Sequence, residues 1–277
     1  MDRKAMAGET LDIMKNGSYQ VNGQSVHIDA GHKKSVSESR LYTPQEGLSI
    51  LEKYRGSLHP NQDAALSVTV ENVSSVDAVI KGARAHLPGL AVLNFASAKN
   101  PGGGFLNGAM AQEEALAVSS GLYQTLTKNP EYYEVNRKCG TMMYTHYAIF
   151  SPDVVFFRDG RGGLLSEPCT ASVMTLPAVN YGQVVLKGED TALAKKVMRE
   201  RMEICLALFA EQGCKNLILG AYGCGVFRND PKEIARWWRE LLYQEGFGAL
   251  FDSVCFAVLD RSAAQSCIRP FQELFPG

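Results

Sequence analysis

The sequence has no excess of charge of either sign: 28 Lys and Arg stand against 29 Asp and Glu in 277 residues, a formal net charge of −1. Gripping a polyanion through bulk charge needs clustered basic residues that release counterions, so near-neutrality argues against that class of binder, and no bulk nucleic-acid binding is expected. Metal-ligand spacing is missing too. The seven cysteines (Cys139, Cys169, Cys205, Cys214, Cys224, Cys255 and Cys267) include no CxxC, and the five histidines offer no close pair, so no zinc site is expected. Scattered, odd-numbered thiols suit a reducing cytosol, which points to a cytoplasmic protein. No run of about 18 apolar residues exists, which predicts no membrane span. The stretch Met1 to Lys15 mixes charged and apolar residues and lacks the apolar segment of a signal peptide. With 45% hydrophobic and 21% charged residues the chain is not of disordered composition. It carries no repeat, no low-complexity stretch and no linker, so one large domain is expected.

What is present is an alternation of helix-like and strand-like stretches. Met6, Leu11 and Met14 lie near helical spacing, and Asn16-Gly17 stops that helix. The polar stretch after it, with Asn22-Gly23 and then Gly31 to Ser39, predicts a hairpin or loop. A second helix runs from about Pro44 to Tyr54. Leu66 to Val70 alternates as a strand, Val76 to Leu87 is a helix ended by Pro88-Gly89, and Leu90 to Phe95 is a nearly continuous apolar run, the mark of a strand buried on both faces. Then come a helix over about Ala111 to Leu126 and strands over Tyr144 to Phe150, Val154 to Phe157 and Ser172 to Leu176. A long helix over Asp190 to Gln212, a strand at Leu217 to Leu219, a helix opened by Pro231, a strand over Val254 to Leu259 and a short helix complete the chain. This order predicts an α/β fold with a mostly parallel sheet covered on both faces, and ligands beyond the carboxyl ends of its strands.

Two glycine-rich loops fall at that position. The first, Asn94 to Phe105, contains Gly102-Gly103-Gly104, which frees the backbone for close approach to a ligand and aims amides at a phosphate or diphosphate. Its spacing is neither GxGxxG nor GxxxxGK[ST], so the Rossmann and P-loop readings both fail. Three glycines alone fit a flexible turn equally well. Gln112-Glu113-Glu114 then opens a helix. Carboxylates in a first turn commonly just offset the helix dipole, but beside an anion-binding loop a partly buried carboxyl has a raised pKa and becomes a candidate general acid. Adjacent Glu113 and Glu114 project about 100° apart and cannot share one role. The second loop, Gly220 to Pro231, again frees the backbone, and Phe227 offers an aromatic face to a base or ribose. Cys224 lacks a nearby histidine and reads as a small loop residue rather than a nucleophile.

Pro101-Gly102-Gly103-Gly104 followed after seven residues by Gln112-Glu113-Glu114 resembles the signature of the poly(ADP-ribose) glycohydrolases, and Leu219 to Phe227 resembles the second diphosphate loop of their macrodomain. The N-terminal arm is similar to the compact bacterial type. The resemblance spans about Met1 to Phe275. It implies a macrodomain-like three-layer α/β/α sandwich with a mixed sheet, residues 61–277, and an N-terminal helical extension, residues 1–60. It implies Glu114 as catalytic acid and Glu113 as holder of the ribose hydroxyls. Gly102, Gly103 and Gly104 would lie against ribose and diphosphate, and the amides of Gly223, Cys224, Gly225, Val226 and Phe227 would bind the diphosphate, with Phe227 over the distal sugar or adenine. Gln112 belongs to the same set, Asn100 or Ser97 would orient the ribose, and Glu71 and Asn72 would meet adenine. The implied reaction is hydrolysis of ribose–ribose bonds from chain ends, with poly(ADP-ribose) or ADP-ribosylated proteins as partners, ADP-ribose as product and no cofactor.

Removal of mono-ADP-ribose from protein or nucleic acid, a non-catalytic ADP-ribose reader and a Rossmann dehydrogenase are the alternatives. Trp237 and Trp238 read as helix packing, His146 as structural, and the Arg158 to Arg161 stretch as a solvated turn. Phe271 to Phe275 is a candidate wall at one end of the cleft.

Overall fold

The computed structural model describes residues 2–60 and 66–276. Helix α1 (Arg3–Asn16) starts on the Asp2 carboxylate, which accepts from the Lys4 amide, and stops at Gly17 in the left-handed region. Strands β1 (Ser18–Val21) and β2 (Gln24–His27) form the expected hairpin, turned by Asn22 and Gly23, both at positive φ, the conformation such a two-residue turn requires. Gly31 to Ser39 is not a loop but most of helix α2 (Asp29–Glu38). Its inward face is made of His32 and Ser35 rather than aliphatic residues, with His32 Nε2 2.7 Å from Gln124 Oε1, so hydrophobic periodicity does not reveal it. Strand β3 (Arg40–Tyr42) leads to α3 (Pro44–Arg55), which opens with a Thr43/Glu46 capping box.

The remaining elements alternate: β4 (Ser67–Glu71), α4 (Ser75–Arg84), β5 (Leu90–Ala96), α5 (Gln112–Ser119), α6 (Leu122–Thr127), α7 (Pro130–Lys138), β6 (Ala148–Arg158), β7 (Leu164–Pro177), α8 (Tyr181–Leu186), α9 (Thr191–Glu211), β8 (Asn216–Leu219), α10 (Pro231–Arg239), β9 (Ser253–Ala257) and α11 (Arg269–Leu274). Seven strands form one sheet in the order β3-β6-β7-β5-β8-β9-β4. β7, β5, β8, β9 and β4 run parallel, while β3 and β7 pair antiparallel with β6. Successive residues of β5 serve opposite layers. Ala91 and Leu93 pack with α3, α9, α10 and α11; Val92 and Ala96 pack with α4 to α7. This is the α/β/α sandwich with a mixed sheet. The extension expected over residues 1–60 contributes β3 to that sheet, and the boundary expected at 60/61 falls against 61–65, outside the described residues.

Three expected elements change under tertiary packing. The helix expected from Ala111 to Leu126 breaks where Ser120 bridges to Phe156 and the Gly121 amide donates to Val155 O; a Cβ at Gly121 would stand 2.4 Å from His32 Nδ1. The two strands expected around Ser151-Pro152-Asp153 are one bulged strand, β6, with Asp153 at φ +45°. Arg158 is not in a solvated turn. It is 1% exposed and donates to Val118 O, Gly162 O and the Glu9 carboxylate.

Candidate active site

A cleft of about 650 Å³ opens beyond the carboxyl ends of β5, β7 and β8. From the first loop and α5 it is lined by Asn100, Gly103, Gly104, Gln112, Glu113 and Glu114; from the second by Gly223, Gly225, Val226 and Phe227. The two glycine loops thus face one another.

The start of α5 is fixed onto β5 by Gln112. Its Oε1 accepts from the Phe95 amide at 2.9 Å, and its Nε2 donates to Leu93 O at 2.8 Å and to Ser75 Oγ at 3.1 Å. The carboxamide acts as a short strand paired to β5, which leaves it an anchor of the helix at the cleft floor. Glu113 follows, 3% exposed. Its carboxyl accepts from the Ser97 amide at 2.7 Å, from Asn94 Nδ2 at 3.3 Å and from the Gly102 amide. Burial outweighs these donors and pushes its pKa up to about 8. The carboxyl kept neutral at pH 7 is therefore that of Glu113. Glu114 is half-buried on the adjacent face, where Oε1 accepts from the Gly104 amide at 2.9 Å and Oε2 from the Ala111 amide at 3.0 Å. It ties the triple-glycine loop to its own helix, so the carboxylate is held in place against that loop's backbone.

Gly103 sits against both carboxyls. A Cβ there would lie 2.3 Å from Glu114 Oε1 and 3.1 Å from Glu113 Oε2. Gly102 points away from the cleft, its Cβ position 2.8 Å from the Phe105 ring, and its amide serves Glu113 instead. Ser97 Oγ accepts from the Lys99 and Asn100 amides and shapes the turn. The Asn100 side-chain amide, exposed on the cleft, has no hydrogen-bond partner among the described residues, whereas the Ser97 hydroxyl already accepts from two backbone amides.

In the second loop Gly223, at φ +73°, is pressed between Asn229 and Ala178, with a Cβ position 2.6 Å from Asn229 Nδ2 and 2.7 Å from Ala178 Cβ. Asn229 Nδ2 donates to Gly223 O and Val179 O and so staples the loop shut. Val226 at the lip is 82% exposed. Phe227 packs against Tyr144, ring centroids 6.3 Å apart. The Cys224 thiol turns out of the cleft toward Cys267; that contact and burial raise its pKa, which leaves it a poor nucleophile.

Glu71 and Asn72 are not brought to the cleft. β4 takes the sheet edge, two strands beyond β8; Glu71 pairs there with Lys81 at 2.7 Å, and Asn72 exchanges hydrogen bonds with the Asp260 backbone. Phe271 and Phe275 pack on Phe256 in the core and wall off no end of the cleft. Asn94, which donates to Glu113, and Asn229, which holds the second loop, are supports of the cleft that sequence reading passes over. The one signal for Asn94 is a lone amide inside the apolar run Leu90 to Phe95.

A family model described as the catalytic domain of microbial-type PARG matches residues 7–159. Among solved structures, the poly(ADP-ribose) glycohydrolase of Thermomonospora curvata is 36% identical, with 99% of each chain covered and a TM-score of 0.92. That protein bound to the inhibitor ADP-HPD gives a TM-score of 0.91. The poly(ADP-ribose) glycohydrolase of Deinococcus radiodurans in complex with ADP-ribose is 40% identical over 91% of this chain and 99% of that one, with a TM-score of 0.80. Comparison with curated proteins gives no match.

Proposed function

This chain belongs to the microbial-type poly(ADP-ribose) glycohydrolases and hydrolyses the ribose–ribose bonds of poly(ADP-ribose) to ADP-ribose; within that activity, we propose that Glu114 is the residue that gives and takes the proton. The observation that supports it is the pair of carboxyls against the Gly103 backbone, one buried and neutral, one held at the cleft surface.

The terminal ADP-ribose lies with its scissile ribose over Gly103 and its diphosphate between the two glycine loops. Glu113, carrying its proton at neutral pH, both donates to and accepts from the ribose hydroxyls and fixes the sugar. With the negative diphosphate bound beside it, Glu114 takes up a proton from solvent; cleavage passes through an oxocarbenium-like state, and the leaving ribose oxygen takes that proton from Glu114. Glu114, now ionised, removes a proton from the water that attacks the cation. The nearby diphosphate stabilises the developing positive charge. Asn100 orients the ribose, and Phe227 covers the distal sugar or adenine.

Recognition of one terminal unit by backbone amides places cleavage at chain ends, and ADP-ribosylated proteins are the carriers of those chains. Seven free cysteines support a cytoplasmic setting; among the described residues, no helix is long and apolar enough to cross a membrane.

Glu114→Gln should bind ADP-ribose with wild-type affinity while polymer hydrolysis falls on the order of 100- to 10,000-fold. Titration calorimetry and release of ADP-ribose from automodified polymer measure the two arms. Near-normal turnover would sink the assignment.

A further inference from the structure

Among the described residues, one buried charge, that of Arg201, has no countercharge directly on it. Arg201, on α9, is 0% exposed, and its three hydrogen bonds all go to neutral acceptors: Nη1 to Pro177 O at 2.8 Å, Nη2 to Tyr144 O at 3.3 Å and Nε to His146 Nδ1 at 3.2 Å. His146 is itself held neutral, since burial and then Arg201 push its pKa down to about 3. The nearest carboxylate in that chain, Glu200, is half-exposed and reaches Arg201 only through the imidazole, 3.2 Å from Nε2. The other buried guanidinium, Arg158, has a carboxylate directly on it. A buried cation left without a countercharge is costly and is retained where something else compensates it.

Its position says what that is. Pro177 ends β7 in register with Ala96 of β5, where the cleft opens, and the next residue, Ala178, lines the cleft and touches Gly223 of the second glycine loop. Tyr144, whose carbonyl Arg201 holds at a backbone φ of +57°, carries the ring that supports Phe227. The guanidinium therefore lies under the cleft wall at the end of β7, whose next residue, Ala178, meets the second glycine loop.

We propose that Arg201 is the buried countercharge of the ligand's diphosphate, a positioning and specificity residue that never touches the ligand but selects diphosphate-bearing ligands over uncharged ones. The proposal rests on the reading that an ADP-ribose unit fills this cleft. The glycine loops supply donors to the phosphates, and Arg201 supplies the net charge that amides lack. Because it is buried, its field is not screened by salt as a surface lysine's would be.

The test is calorimetric titration of ADP-ribose and of adenosine into the wild type, Arg201→Gln and Arg201→Lys, at about 50 mM and about 500 mM salt. Arg201→Gln should weaken ADP-ribose on the order of tenfold at both salt concentrations, the effect of one charge acting across the wall. Adenosine should bind as before, and Arg201→Lys should recover most of the loss. Equal weakening of both ligands, as a merely collapsed wall would give, or no weakening of ADP-ribose, overturns the proposal. Should Arg201→Gln fail to fold, His146→Glu keeps the guanidinium and sets a carboxylate on it; the same selective loss is expected, and an unchanged ADP-ribose affinity overturns the proposal. A wild type that binds no ADP-ribose would instead remove the reading of the cleft, and this proposal with it.

Discussion

Gly103 leaves no room for a methyl group: its φ is +61°, and the Cβ would meet the Glu114 carboxylate. Gly103→Ala must displace that carboxylate and strain the backbone by about 1–2 kcal/mol. Polymer turnover should fall on the order of 100-fold, whereas Gly140→Ala, where a Cβ meets nothing within 4 Å, should leave it within about twofold. Glu113 carries a pH signature. Its carboxyl ionises near 4.5 when unfolded and near 8 when folded, so folding favours the protonated form. The contribution is full below about 4.5 and is lost as pH rises through about 8. Thermal unfolding between those limits should show Tm falling with pH in the wild type and a flatter profile in Glu113→Gln; parallel profiles would refute the buried neutral carboxyl. Glycines and paired carboxylates are legible in sequence because backbone freedom and charge are properties of residue type. Asn94, Asn229 and Arg201 are not, because each is an ordinary residue until the fold removes water from around it. Glu71 and Asn72 mislead for the converse reason, since nothing in their own stretch tells that β4 takes the sheet edge.

At the scale of elements, α5 is held at both ends. Gln112 and Glu114 bind its start, and at its last turn Val118 O accepts from Thr10 Oγ1 at 2.6 Å and from Arg158 Nε at 3.3 Å. Arg158 in turn depends on Glu9 of α1, 2.7 Å away. Glu9→Ala leaves a buried guanidinium unpaired, so it should destabilise the protein by about 1–3 kcal/mol, well above a surface ion pair, in denaturant unfolding. Helices with aliphatic stripes or clear caps, such as α3 and α9, are evident from sequence. α2, the break between α5 and α6, and the join within β6 are set by what packs on them, Gln124, His32 and Thr125 among others.

For the whole molecule, the even balance of charge limits how the polymer is held. If one terminal unit is gripped by amides and a buried guanidinium, raising salt from about 50 to 200 mM should weaken polymer binding by well under tenfold. A change of 1,000-fold or more would indicate several lysine–phosphate contacts along the chain.

The strand β3 pairs with Ala148, Ile149 and Phe150 of β6, which are buried and apolar. Within the chain this makes the first sixty residues a guard as much as an extension. A chain shortened to residues 66–277 would lose β3 and bare the backbone of Ala148 to Phe150 at the edge of β6, an open template for edge-to-edge growth. Such a chain should accumulate as aggregate rather than as a smaller enzyme. In synthesis, too, β3 leaves the ribosome about a hundred residues before its partner, so the exposed interval falls on β3, the short strand, and not on β6.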